Sequence, residues 1–496
     1  MPHLAIASAV NLREILFNSN QVPSEEELQA IDALLIQLRA EQNLPTIQDA
    51  RLSDIAAMIS LLDSVLHPMR YIPDDILALI FMYTTPCSLA DGIAEDSIPR
   101  LTDHLDSPWT LPQVCRNWRA LSLSLPCLWS SFCVPFKDLD NPKRARRIEL
   151  CIQRSEPLPL RICFDHSACA THLALLPQTT RRWRFLRIEC YHGGPAQDNI
   201  FVDRLFPRLT HLALDMWCSQ TPTTILAPCL RNLEVQCTSI DSGLVVPWLQ
   251  ITQYRSIDTD LEFIARMENL EELVVIEDTF TLHNNYSEVP NPKGTILPNV
   301  RRLEHDNTEG VLGSDPHTWL FTRYSFTSLR TLVIIDPNRT YEEDEYPSFA
   351  FSLPSVIELS LSFSFADDIR NILLATPNVQ SLHIEGKEDP DSLVYCSPSA
   401  RPSVPCLRQI KHLSFAVGDD QFIGLEFNNV LKMLQDYDLP LEAISFYRSI
   451  QDEDENMIPE GEWTTYIQEE MADSLGSWMN DGIRVIYHST VEHKFA

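Results

Sequence analysis

The sequence predicts an α/β chain in which N-terminal helices precede a long run of short parallel strands. Three observations carry that expectation. Apolar residues in the first part of the chain recur at helical spacing between cap and proline signals. From about residue 180, an apolar-x-x-apolar-x-apolar pattern recurs instead, often with a proline shortly before it. The chain also has 496 residues, more than one core accommodates, so several domains or a repeat array are required.

The first helix begins at Ser24-Glu25-Glu26-Glu27, a capping box in which the Ser24 hydroxyl and the Glu27 carboxylate each satisfy the other's backbone N–H. Leu28, Ile31, Leu34, Leu35 and Leu38 then share a face, until Asn43-Leu44-Pro45 breaks the pattern. Leu52, Ile55, Met58, Ile59, Leu62, Val65 and Leu66 repeat it. Residues 1–69 are therefore expected to form a helical hairpin. A coiled coil with a partner is the alternative, but each stretch is shorter than the three to four heptads such an assembly needs.

The next unit, residues 70–135, has two halves. In Ile72-Pro73-Asp74-Asp75-Ile76-Leu77-Ala78-Leu79-Ile80-Phe81, the proline suits a first helical turn and the aspartates suit the positive helix end. This helix is expected to bury Ile76, Leu79, Ile80 and Tyr83. In Leu111-Pro112-Gln113-Val114-Cys115-Arg116-Asn117-Trp118-Arg119, the residues Val114 and Trp118, with Leu121, are expected to form one apolar stripe while Arg116 and Arg119 face outward. Pro126-Cys127-Leu128-Trp129 closes the unit.

Ile-Pro-x-Asp-Ile, Ile-Phe, Val-Cys-Arg-x-Trp-Arg and Pro-x-Leu-Trp, in that order, resemble a split F-box, and the chain as a whole resembles fungal F-box proteins. In that family a three-helix unit binds a Skp-type adaptor and so hangs the protein on a cullin ubiquitin ligase. The resemblance implies that Pro73, Ile76, Ile80, Val114 and Trp118 form or support an adaptor-facing surface. The chain departs from the family at residues 87–107, a polar, acidic insertion where a few residues are usual. A surface loop tolerates such length, because closure entropy grows only logarithmically. Folded over the binding face, it would mask the box.

Residues 136–179 read as a linker with the first array elements, and residues 180–496 as the array with a C-terminal cap. The copies start at Trp183, Leu209, Leu230, Leu270, Val300, Leu329, Val356, Val379, Ile410 and Leu441, in steps of 26, 21, 40, 30, 29, 27, 23, 31 and 31. The step of 40 predicts an inserted or degenerate copy. Most steps lie near the leucine-rich repeat period of ~20–29, and the pattern resembles an irregular leucine-rich-repeat solenoid with a parallel sheet. It lacks that family's Asn or Cys after the last apolar residue. Three buried apolar residues cannot offset the ordering of ~28 residues, so each copy must stack on its neighbours. Trp463, Ile467, Met471, Leu475 and Trp478 on a helix, followed by Ile483-Arg484-Val485-Ile486-Tyr487 as a strand, read as the cap.

Residues flanking the strand leucines share one face, and they are the candidates for holding a target protein: His211, Asp215, Asn232, Glu234, Glu272, Arg302, Glu304, Glu358, His383 and Glu385. The row leans acidic and points to a basic or hydrogen-bonding partner.

Composition excludes several other functions. A formal charge of −31 opposes binding to nucleic-acid phosphates, which needs a positive footprint. Only 13 glycines, about a third of the usual ~7%, leave little for phosphate loops. Thirteen cysteines without CxxC pairs point to a reducing compartment, cytoplasmic or nuclear. No basic-apolar leader opens the chain, and no uninterrupted apolar run approaches a membrane span, so no membrane association is expected. Cys163, His166, Cys169 and His172 have soft-ligand character, but a strand running into a helix would point them apart, and neither metal nor cofactor is expected. Lys143-Arg144-Ala145-Arg146-Arg147 reads as the start of a surface helix with Ile148, Cys151 and Ile152 facing inward, although its composition also fits a nuclear-import signal. Gly-x-Ser-x-Gly, Walker, His-Glu-x-x-His and Rossmann signatures are missing, so a receptor, not an enzyme, is expected.

The expected function is substrate recognition in an SCF-type cullin ubiquitin ligase, residues 70–135 docking the adaptor and the array holding the target. The alternative is a scaffold or binding protein whose F-box-like unit recruits no cullin.

Overall fold

A computed structural model of the chain describes residues 23–44, 49–85, 108–134, 142–164, 177–189, 201, 204–215, 223–236, 244–257, 261–276, 294–307, 316–336, 351–363, 372–385, 409–417, 440–448, 476, 479–480 and 482–488. It divides into two compact units, residues 1–186 and 187–496. The first is mostly helical and the second is built on a large parallel sheet, so the chain is α/β. The insertion 87–107, His166, Cys169, His172, the acidic runs 342–345 and 452–455, and the helix expected over 463–478, save Gly476, lie outside the described residues.

In the first unit, helices α1 (Glu25–Gln42) and α2 (Asp49–Val65) share one core of Ile31, Leu35, Leu38, Ile55, Leu62 and Val65. The capping box at α1 is complete: Ser24 N–H donates to Glu27 Oε2 at 2.7 Å and Glu27 N–H to Ser24 Oγ at 3.3 Å. Pairs Arg51–Glu41 (3.0 Å) and Arg39–Asp63 (3.3 Å) link the two helices at their surface. Residues 51–70, which comprise most of α2 and the 3-10 turn Pro68–Arg70, are by length and composition apolar enough to cross a membrane, with mean hydropathy 1.2 over 18 of them. The search for an unbroken apolar run passes over it because Asp54, Asp63 and several serines interrupt the stretch.

Helix α3 (Asp74–Thr84) packs on α5 (Arg116–Ser124), which follows the single turn α4 (Leu111–Val114). Strand β1 (Ser131–Val134) leads to helix α6 (Pro142–Arg154) and strand β2 (Leu160–Phe164). β1 and β2 pair in parallel, Ser131 opposite Arg161 through Val134 opposite Phe164. Parallel pairing thus begins well before residue 180. The strand expected to run through Cys163 is β2, whereas β1 was hidden because Ser-Phe-Cys-Val lacks the Leu-x-x-Leu-x-Leu spacing. α6 buries Ile148 and Cys151, as its phase predicts. Its arginines act locally: Arg154 lies 4.4 Å over the Trp129 ring and Arg147 5.5 Å over that of Trp109, while the two tryptophans meet edge to face at 5.1 Å. Arg182 donates to Leu158 O, Ile152 O and Ser155 Oγ at 2.8–3.1 Å and so holds the turn between α6 and β2. Strand β3 (Trp183–Glu189) spans the division between the units.

The sheet of the second unit runs in chain order through β4 (His211–Asp215), β5 (Asn232–Gln236), β6 (Gln253–Ile257), β7 (Glu272–Ile276), β8 (Arg302–Asp306), β9 (Thr331–Asp336), β10 (Glu358–Phe363), β11 (Ser381–Glu385), β12 (His412–Val417), β13 (Ala443–Arg448) and β14 (Arg484–His488). Every neighbouring pair is parallel and in register. Leu212, Leu233, Tyr254, Leu273, Leu303, Leu332, Leu359, Leu382, Leu413 and Ile444 therefore form one buried row. Leu209, Leu230, Ile251, Leu270, Val300, Leu329, Val356 and Val379 form a second.

β6 explains the step of 40. Its copy starts at Ile251 and places Tyr254 and Ser256 where other copies have leucine or valine, and all three are buried. A search for aliphatic spacing passes over Tyr and Ser. The prolines have a local role: Pro207, Pro228, Pro354 and Pro377 open turns closed by bonds such as Leu230 N–H to Ala227 O (3.1 Å) and Val356 N–H to Leu353 O (3.2 Å). The residue before the turn, Phe206, Ala227, Met267, Leu297, Phe326 or Leu353, supplies one further core position.

Asparagines three residues before a strand link neighbouring copies. Asn269, Asn299 and Asn378, each just ahead of a copy's first core residue, donate from Nδ2 to Leu249 O (2.7 Å), Glu268 O (2.9 Å) and Pro354 O (2.7 Å) of the preceding copy. These bonds satisfy carbonyls that the turn leaves without a ladder partner.

Candidate functional site

α3 is apolar on two faces, and its contacts decide which one is core. Leu77 and Phe81, four apart, are buried. Phe81 meets the Trp118 ring edge to face at 4.8 Å. The opposite face carries Ile76 (44% exposed), Leu79 (46%), half-buried Ile80 and Tyr83 (87%), at i, i+3, i+4 and i+7. The expectation that these four are buried is corrected. Helical spacing marks two stripes here, and only the tertiary contact to Trp118 selects between them.

The remaining adaptor candidates separate in the same way. Pro73 is exposed at the N-cap of α3, and Asp75 Oδ1 accepts from Ile76 N–H at 3.0 Å. Val114 is 60% exposed and does not share a stripe with Trp118, because Cys115 is extended (φ −158°, ψ 174°) and splits the segment into α4 and α5. Cys115 instead caps α5, its Sγ accepting from Trp118 N–H at 3.4 Å. Trp118 is half-buried on Phe81 and supports the exposed face from behind.

A side-chain bond joins the halves of the split unit: Asn117 Nδ2 donates to Asp74 Oδ1 at 2.9 Å, tying the start of α5 to the start of α3. Within the second half, Trp129 Nε1 donates to Ser122 O at 2.9 Å from full burial. Trp109, which the motif comparison overlooks, completes the cluster around Trp129.

On the strand face of the second unit, register brings together polar side chains that the sequence could only enumerate. Asn232, Gln253, Glu272, Arg302, Thr331 and Glu358 lie side by side on successive strands. Asn232 Nδ2 donates to Gln253 Oε1, and Gln253 Nε2 to Glu272 Oε2 at 2.9 Å. Arg302 bridges Glu272 (3.1 Å) and Glu304 (2.7 Å), and Thr331 Oγ1 donates to Glu358 Oε2 at 2.8 Å. Glu234 lies 3.7 Å from Arg187, and the Thr210 hydroxyl 2.7 Å from His211 Nδ1. Most of the candidate target-binding residues are therefore engaged by neighbouring side chains, and Glu272, Arg302 and Glu304 by one another. Their acidity is partly neutralised in place, which weakens the case for a basic partner at this row.

Asp215 and Glu385 are the last residues of β4 and β11, paired in register with Gln236 and Ser362. His383 belongs to a different group: its ring is 5.6 Å from Tyr447, edge to face, and Tyr447 stacks on His488 at 4.3 Å. His383 and Tyr447 meet across the intervening strand β12, on which Ser414 stands opposite His383. Gln253, Tyr447 and His488 were missed by sequence reasoning, Gln253 because its strand was hidden and the other two because β13 and β14 extend past their leucine pattern.

Among the described residues no group of three or more His, Cys, Asp or Glu side chains is placed to hold a metal ion. No protein-family model matches the chain, and no curated protein matches it.

Proposed function

We propose that the chain is a substrate receptor of an SCF-type cullin ubiquitin ligase. Residues 70–135 act as an F-box that docks a Skp-type adaptor, and the parallel array, as an irregular leucine-rich-repeat domain, holds a target protein within reach of the ligase. The protein contributes proximity and no bond chemistry.

The observation that supports this most is the solvent-facing stripe Ile76, Leu79, Ile80 and Tyr83 on a helix whose other face is already core. Contiguous apolar side chains left in water at helical spacing mark a surface that gains by docking. Pro73 and Val114 add exposed apolar surface at the ends of the same helical unit, and Trp118 and Phe81 hold the stripe in place. The polar ladder of the array favours target contacts elsewhere on the strand face, with half-buried His383 and His488, packed on buried Tyr447, the leading group.

Affinity capture tests the division of labour. The unaltered chain should retain adaptor, cullin and at least one further protein. Ile76→Asp with Tyr83→Ser should lose adaptor and cullin together and keep the other partner. Retention of the further protein without adaptor or cullin by the unaltered chain would favour the scaffold alternative.

A further inference from the structure

We propose that Cys133 and Cys163 form a reversible dithiol–disulfide pair, a redox modification site created by the fold from two residues thirty positions apart. They are directly opposite one another on the parallel strands β1 and β2. Both are thiols, each 5% exposed, and they make a small cluster of their own with Phe185 packed against it, apart from the core on the other face of the strands. Arg161 covers the Phe185 ring at 4.7 Å, so the pair lies beneath an aromatic lid held by a cation.

The geometry suits a bond that can be made and broken. Strands pair at about 4.7–4.9 Å, within the Cα separation of roughly 4.4–6.8 Å that disulfides span. Parallel in-register neighbours keep their Cβ atoms near that same strand spacing, wider than the ~3.5–4.5 Å of an unstrained disulfide. The bond would form under strain, which makes it more reducible than a structural one.

The burial of both sulfurs requires a small oxidant, such as a hydroperoxide. With hydrogen peroxide, one thiolate attacks a peroxide oxygen, the O–O bond breaks, and the departing hydroxide takes up the thiol's proton as water. The second sulfur then attacks the sulfenic acid, the S–O bond breaks, and a second water leaves with the remaining proton. Two thiols lose two electrons, and one peroxide becomes two waters. The product ties β1 to β2 around α6, closing the loop from Cys133 to Cys163 and lowering the entropy of the unfolded chain.

The test treats the intact chain with hydrogen peroxide, blocks residual thiols, digests without reductant and identifies linked peptides by mass spectrometry. A Cys133–Cys163 linkage that a dithiol reductant reverses, with a higher melting temperature for the oxidised chain, is the expected result. Linkage of either cysteine to another partner, irreversible sulfinic or sulfonic acid at either, or an unmodified pair while exposed Cys229 is oxidised would overturn the proposal. Cys163→Ser, checked for an unchanged melting curve under reducing conditions, should lose the linkage and leave Cys133 trappable as a sulfenic acid. A Cys163→Ser chain that melts early cannot replace the linked-peptide result, which decides by itself.

Discussion

The outer face of α3 and the first row of the strand face make opposite use of exposed side chains. On α3, Ile76, Leu79 and Tyr83 stand in water with their neighbours Leu77 and Phe81 already packed beneath them. On the strands, Asn232, Glu272, Arg302 and Glu304 are half-buried and Gln253 is exposed, and each is hydrogen-bonded or ion-paired to a neighbour. Covering apolar surface is favourable at roughly 25 cal/mol per Å². Covering a satisfied polar ladder returns little, because its bonds to water and to itself must be given up first. Exposure alone therefore does not identify a docking surface, and the apolar helix is the stronger candidate of the two.

The contrast breaks most visibly from the inside. Phe81→Ala removes the ring on which Trp118 rests and should cost about 3–5 kcal/mol, as large-to-small changes at fully buried aromatics do, read as a lower melting temperature of the helical unit. If the loss is near zero, the two faces of α3 have been assigned the wrong way round.

A smaller effect is expected on the strands. Arg302→Ala leaves the Glu272 and Glu304 carboxylates facing one another without their shared cation, at about 1–3 kcal/mol, with part of that screened because the pair is not fully buried. The loss should grow at low salt, since two unshielded carboxylates repel more strongly there. A denaturant titration at two ionic strengths measures both. Indifference to the substitution would show the ladder to be ornamental and would reopen the row to a target's charges.

The smallest effect is chemical. Burial pushes the Cys151 thiol up to about 12, with nearby Arg154 and Arg147 opposing the shift only weakly. Folding thus holds a proton that the unfolded thiol releases near 9, and by linkage the contribution of Cys151 to stability is full below pH 9 and falls as pH rises from 9 toward 12. In the native chain at pH 8, alkylation should reach exposed Cys229 and spare Cys151, while denaturant equalises them; rapid native labelling of Cys151 would contradict its burial on the inner face of α6.

How much of this was legible in the sequence depends on what each feature requires. The Ser24–Glu27 capping box and the leucine spacing of nearly every strand involve neighbours within a few residues, and both are plain on reading. The burial phase of α3 is not, since apolar residues occupy two faces and only Trp118, more than thirty residues on, distinguishes them. β6 escaped because Tyr254 and Ser256 fill aliphatic positions. The polar ladder was visible as a set of residue types, but its bonds exist only once parallel register sets Gln253 beside Glu272 and Glu272 beside Arg302. The Trp109, Trp129 and Arg154 cluster likewise depends on α6 packing back on the turn that holds Trp129, and Arg147, from a basic run that resembles an import signal, lies over the Trp109 ring.

The central claim is that the outward stripe of α3 docks an adaptor, and a direct binding titration of purified chain against purified Skp-type adaptor tests it. Ile76→Asp with Tyr83→Ser should weaken binding by on the order of 100-fold or more, equivalent to about 2.7 kcal/mol, while the melting temperature stays within a few degrees of the unaltered chain. Equal affinity for the two proteins would contradict the claim.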